Sequence, residues 1–211
     1  MWEPSLEQLF AAGTMHRWPD GRVTKLGIME AGAVRLTTGR LVVCDPGWLQ
    51  RDFSGFVATQ LSPGVYPVEL SVVHMPQNDP RLRSVLVTAA RVLVSAAQVT
   101  AWEPAWPSEQ EGVPARSFGV DGGQACFMDE AIAPFLIDYQ ADPSRVDLMV
   151  TQVLKEQWAS IADESGRNVV VVSCGMGDGS YPVWLGHADD GSTAQVVVDL
   201  ELLSHADGPV D

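Results

Sequence analysis

Short β-branched runs interrupted by glycine or proline recur along the whole chain, and this punctuation constrains the fold more than any other feature. The runs "AVRLTTGRLVVCDPGW" (33–48), "LSPGVYPVELSVVHM" (61–75), "SVLVTAARVLVSAAQVTAW" (84–102) and "NVVVVSC" (168–174) are spaced by turn residues rather than by helical stretches. Strands joined this way pair antiparallel, because a parallel crossover needs a dozen or more residues, usually a helix. A doubly wound parallel sheet is thereby excluded. The first run reads as a hairpin around Thr38-Gly39, and "TAQVVVDLELL" (193–203) closes a second hairpin near the C-terminus.

Helical signals are fewer. Leu6, Leu9 and Phe10 at helical spacing behind Ser5, with Gly13 as the stop, predict a short first helix. Asp142-Pro143 is a cap followed by proline at the first helical position. The apolar set Val146, Met149, Val150, Val153, Leu154, Trp158 and Ile161 extends the predicted helix over about 143–164. "PQNDPR" (76–81) and the proline-containing stretch 103–116 read as loops, and Asp129 as an entry into helix. The expectation is an α+β fold: a mainly antiparallel curved sheet or two-sheet sandwich with one long helix packed on it. Residues 1–30 form an N-terminal helix and extension, 31–203 one domain, and 204–211 a tail.

Composition bounds the function classes. The 211 residues, 46% hydrophobic and 19% charged, suffice for one globular core. Thirteen Lys and Arg against 27 Asp and Glu leave a net charge of −14, with no cationic stripe to replace phosphate counterions. Nucleic acid and anionic membranes are therefore disfavoured, and a basic protein partner or bound cations are favoured. No run of about 18 apolar residues is present to span a bilayer. Three cysteines without a CxxC pair, and acidic residues where a signal peptide carries lysine, fit a reducing cytoplasm.

Aspartates stand beside glycine or proline at several turns: Asp45 in "CDPG", Asp121 and Asp129 in "VDGGQACFMD", and Asp178 in "GDG". Carboxylates beside pliable backbone suit an oxygen-liganded divalent cation, Ca²⁺ or Mg²⁺, or paired acid and base groups of a hydrolase. The competing explanation is that aspartate is a default turn residue, since its side chain bonds its own backbone. Secondary candidates are Cys126, in a "QAC" segment like that of caspase-type proteases with His74 upstream, and Cys174 in "SCGMGDG". His187 and the tyrosines Tyr66 and Tyr181 complete the set. These tyrosines lie in an internal echo, "SPGVYPVEL" (62–70) against "GDGSYPVWL" (177–185), which either marks a structural repeat or reflects shared turn chemistry.

The blocks "LTTGRLVVCDP", "LSPGVYPVELSV", "ARVLVSAAQVTAWEPA", "FGVDGGQACFMD" and "VVSCGMGDGSYPVWLGHADDGSTAQVVVDLELL", in this order over roughly 30–203, resemble the bacterial domain-of-unknown-function family 4241. The resemblance implies a bacterial cytoplasmic protein and brings no reaction with it. It matches Gly39, Asp45, Pro63, Gly64, Tyr66, Pro67, Trp102, Asp121, Gly123, Cys126, Asp129, Gly177, Asp178, Gly179, Tyr181, Pro182 and Asp199 to family motifs. Two function classes stay open: a non-enzymatic, immunity-like interaction protein whose acidic surface occupies a basic partner, and a metal-ion or small-molecule site, with a hydrolase as one form of it, built on the turn aspartates.

Overall fold

The computed structural model describes residues 3–48, 57–75, 84–106 and 117–210. The loop reading at 76–81 and the part of the 103–116 reading from 107 onward fall outside them, while residues 103 and 104 belong to a strand rather than a loop. An eight-stranded sheet contains β1 (Met15–Arg17), β2 (Val23–Leu36), β5 (Gly64–His74), β6 (Val85–Leu93), β7 (Ala101–Pro104), β13 (Val183–His187), β14 (Thr193–Asp199) and β15 (Gly208–Val210). Its order is β15-β1-β2-β5-β6-β14-β13-β7. A five-stranded sheet, β10-β11-β9-β3-β4, is made of β3 (Arg40–Cys44), β4 (Val57–Gln60), β9 (Gln124–Asp129), β10 (Trp158–Ala162) and β11 (Asn168–Ser173). The short strands β8 (Phe118–Val120) and β12 (Gly179–Tyr181) pair with each other. Every pairing is antiparallel.

Alternation along the strands builds the layers. On β9, Ala125 and Phe127 face the eight-stranded sheet, while Cys126 and Met128 face outward. On β11, Val170 and Val172 point in, and Val169 and Val171 out. The inner set joins Leu70, Val92, Val196 and their neighbours in the main core between the sheets. The outer set is covered by α1 (Ala133–Gln140) and α2 (Pro143–Glu156) through Leu136, Met149 and Val153. On the far side, Leu9, Trp18, Leu202 and Leu203 cover Leu26, Val73, Ala89 and Val197 on the outer face of the larger sheet. Each fully buried Val or Leu contributes about 1.5–3 kcal/mol relative to exposure, and both sheets carry them on both faces. Among the described residues no helix is long and apolar enough to cross a membrane.

The sandwich is as expected, but the single long helix is not. α2 starts as read, with Asp142 accepting from Ser144 N–H at 3.0 Å and Pro143 in the first turn. It ends at Glu156, because Gln157 takes the left-handed conformation (φ 68°). Trp158–Ala162 then pairs with β11 as a strand, and Gly166 (φ 79°) turns that hairpin instead of capping a helix. Trp158 and Ile161 fit a helical stripe and a strand equally well at their spacing, and pairing with the valine run decides for the strand. The first helix shrinks to a 3₁₀ turn at Gln8–Phe10, held by a reciprocal pair in which Ser5 N–H donates to Gln8 Oε1 at 2.9 Å and Gln8 N–H to Ser5 Oγ at 3.4 Å. Residues 204–211, read as a tail, include β15, which pairs with β1.

The expected hairpin at Thr38-Gly39 is also absent. β2 and β3 do not pair; the turn carries the chain from one sheet to the other. The reason lies in a duplication. Chain segments β2-β3-β4-β5-β6 and β7/β8-β9-β11-β12/β13-β14 follow the same path, so the larger sheet reads β2-β5-β6 and then β14-β13-β7, and the smaller β4-β3 and then β9-β11. Equivalent bonds recur. Leu61 N–H donates to Gly39 O at 2.8 Å, and Cys174 N–H to Gly123 O at 2.9 Å. Tyr66 pairs with Val34 and Gly64 with Leu36, as Tyr181 pairs with Phe118 and Gly179 with Val120. Tyr66 donates its hydroxyl to Ser62 O at 2.6 Å, and Tyr181 to Gly177 O at 2.8 Å. The Tyr-Pro-Val echo is thus one local structure built twice.

Candidate functional site

The turn aspartates divide by this duplication. Asp45 and Asp129 end β3 and β9 at equivalent places, each reaching across to the inter-sheet turn of the other half. Asp129 Oδ2 accepts from the N–H groups of Thr38 (2.9 Å) and Gly39 (3.2 Å), and Oδ1 from Thr38 Oγ1 (2.9 Å) and Ala131 N–H (2.9 Å). Asp45 Oδ2 accepts from Asp121 N–H (2.8 Å) and Gly122 N–H (3.2 Å), and Oδ1 from Gly47 N–H (2.6 Å). Both side chains are buried, Asp129 completely. A carboxylate taken from water needs such charge-assisted partners, and here the partners are the turns that switch the chain between sheets. The two aspartates are reciprocal latches.

They lie at opposite ends of the β3–β9 pair. Leu41 is opposite Asp129, and Asp45 is four residues further along, about 13 Å at the usual rise per residue. One cation with oxygen ligands at about 2.4 Å does not span that gap. The four aspartates therefore do not converge. Asp121 and Asp178 are exposed, on two loops that touch: a Cβ at Gly123 would lie 3.5 Å from Gly177 Cα. Among the described residues no group of three or more His, Cys, Asp or Glu is gathered as a metal ion requires.

The second tier of candidates is equally committed to structure. Cys174 is buried, and burial with the nearby Asp45 and Asp178 carboxylates pushes its thiol far up, away from a nucleophilic thiolate. Cys126 faces the helical layer 3.6 Å from Cys44 Sγ, and this neighbour and burial push its thiol well up. His74 stands on β5 of the other sheet, so the protease-like pairing with Cys126 has no geometry to support it. Burial raises the Tyr181 phenol to about 12. His187, at the far end of β13 from Tyr181, places Nε2 2.9 Å from Glu103 Oε1 on β7. Asp199, matched above to a family motif only, has its carboxyl raised to about 6 by burial, with Glu201 N–H donating to Oδ1 at 2.8 Å.

A feature with no signal in the sequence lies on the outer face of the larger sheet. Trp18, Met75, Leu86, Met176 and Leu202 line an open, largely apolar cleft of about 390 Å³, with Asp20, Arg22 and His205 at its rim. Its walls come from four distant parts of the chain, so no local pattern could announce it. Met176 is 64% exposed there. It belongs to the Gly175-Met176 step, which lengthens the path from Cys174 to Gly177 relative to the equivalent direct step from Leu61 to Ser62.

Compared with known proteins, residues 34–198 match the sequence model of a family described as protein of unknown function (DUF4241). No curated protein and no solved structure matches the chain.

Proposed function

Because the chain belongs to the DUF4241 family, whose description carries no activity, we propose from its own geometry that it acts by non-covalent, non-enzymatic binding of a basic protein partner. The observation that carries this reading is the open apolar cleft with the exposed Met176 on its wall, in a chain of net charge −14. A cleft of this kind takes an apolar anchor from a partner, while the net negative charge of the chain as a whole favours cationic partners and speeds encounter. Methionine suits such a wall because its unbranched thioether adapts to the shape of what it meets. An immunity-like protein that masks a basic partner works in this way.

The test is titration of the full chain with an amphipathic Lys/Leu peptide and with its Glu/Leu counterpart, followed by tryptophan fluorescence. The Lys/Leu peptide binds, weakens by about tenfold or more between about 50 and 300 mM salt as screening shortens, and loses most of its affinity with Met176→Ser. Binding that ignores salt, or that Met176→Ser leaves unchanged, removes the reading. The alternative, a Ca²⁺ or Mg²⁺ site, rests on the contact between the loops of Asp121 and Asp178. A rise in unfolding midpoint with either ion, lost in Asp178→Asn, would bring it forward.

A further inference from the structure

We infer that Cys44 and Cys126 form an oxidation site, a cross-strand thiol pair set to close into a disulfide that ties the two halves of the molecule together. The two residues are directly opposed on β3 and β9, with their sulfurs 3.6 Å apart. Opposed residues of an antiparallel pair have Cα atoms about 4.5–5.5 Å apart, inside the range of about 4.4–6.8 Å that a disulfide bridges. Closure therefore needs side-chain rotation, not movement of the strands. Both thiols are free, and both point into the layer beneath α1 and α2.

Packing alone does not ask for cysteine here. In the duplicated halves Gly39 corresponds to Gly123 and Asp45 to Asp129, both 84 residues apart. By the same step Cys44 corresponds to Met128 and Val42 to Cys126, so the mirror image of the Cys44–Cys126 pair is the Val42–Met128 pair. The equivalent place is filled by ordinary apolar side chains. The third thiol, Cys174, lies in the core between the sheets, on the other side of the smaller sheet, and does not compete.

The oxidant is a peroxide. One cysteine, as its thiolate, attacks a peroxide oxygen; an S–O bond forms, the O–O bond breaks, and the departing hydroxide takes up a proton as water. The second thiol then attacks the sulfenic sulfur, forming S–S and releasing a second water, so that two thiols are oxidised and one hydrogen peroxide is reduced to two waters. Cys44 is the last residue of β3 and 3% exposed, against 0% for Cys126, so the reaction is gated by local opening beside the strand end and is slow.

The experiment exposes the full-length wild type and a Cys174→Ala variant to hydrogen peroxide, followed by intact mass, peptide mapping after thiol trapping, and thermal unfolding with and without dithiothreitol. Both chains lose two hydrogens, yield a linked peptide containing Cys44 and Cys126, and regain the original mass on reduction. The unfolding midpoint rises by about 5 °C or more, since the cross-link restricts a long loop of the unfolded chain. Cys126→Val, which places the residue of the mirrored position there, folds but forms no link. Intermolecular dimers, oxygen addition without a link, or thiols that stay free under an exposure that oxidises the urea-unfolded chain would each overturn the inference.

Discussion

The two halves of this molecule share a path but not a finish. In the first half the inter-sheet turn is tightly closed: Gln60 Nε2 donates to Thr38 O and Leu61 O at 3.0 Å each, and a Cβ at Gly39 would lie 2.0 Å from Leu61 O. In the second half the equivalent turn is Asp121-Gly122-Gly123, where Gly123 has ordinary van der Waals room. The second half also carries the additions: α1, α2 and β10 between β9 and β11, and the Met176 step facing the cleft. The lesson is that a duplicated frame needs its latches twice and its extras once.

The largest effect expected from this comparison concerns the latches. Asp129→Ala leaves the N–H groups of Thr38, Gly39 and Ala131 buried or part-buried without their acceptor, and costs about 3–5 kcal/mol. Asp45→Ala, with three donors at a more open turn, costs about 2–3 kcal/mol. Urea unfolding of the two variants measures both, and equal costs would break the asymmetry between the halves.

Next in size is the turn glycine. Gly39 (φ 81°) meets backbone within 2.0 Å of any added Cβ, so Gly39→Ala costs about 3 kcal/mol. Gly123 (φ 63°) has only the conformational penalty, and Gly123→Ala costs about 1 kcal/mol. Chemical denaturation at neutral pH distinguishes them; a larger loss at Gly123 would mean that the second turn is the tighter one.

The remaining effect is pH-dependent. Val68 faces Val92 as Val183 faces Val198, and each follows its tyrosine, Tyr66 or Tyr181, by two residues, so Asp199 occupies the place that Leu93 holds in the first half. Its folded pKa, about 6, lies above the ordinary 3.8, so the folded chain binds the proton more tightly than the unfolded one. Stability carried by the protonated form is complete below about 3.8 and is lost as pH rises through about 6. Asp199→Asn removes that loss and stabilises the protein at pH 7 by on the order of 2 kcal/mol. His16 works in the opposite sense, since burial lowers its pKa from 6.5, and stability falls as pH drops below that value. Unfolding midpoints between pH 4 and 8 for Asp199→Asn and His16→Gln separate the two groups; an unchanged profile for Asp199→Asn would show that its carboxyl is not perturbed.

Local patterns made much of the frame legible. The valine run of β11, the Pro63-Gly64 turn and the cap at Asp142 each act within a few residues, and each stands where its chemistry requires. The Tyr-Pro-Val echo marked a real repeat. The second sign of duplication, glycine followed six residues later by aspartate in "GRLVVCD" and "GQACFMD", was present but too short to stand out. Where the reading failed, two periodicities competed, as at Trp158 and Ile161, or a turn had a choice of partner, as at Thr38-Gly39.

The candidate site was legible in kind but not in use. That aspartate stands beside glycine follows from turn chemistry, but whether its oxygens face a ligand or the N–H groups of another turn depends on which strand ends meet. What the sequence by itself determined is strand alternation, many of the turn positions and the net charge of −14, because these follow from side-chain period, φ preference and composition. Only the tertiary structure decided that Asp45 and Asp129 are latches, that Cys44 faces Cys126, and that Trp18, Met75 and Met176 share a cleft. These are contacts between residues far apart in the chain, and their energy exists only once the two sheets have closed on each other.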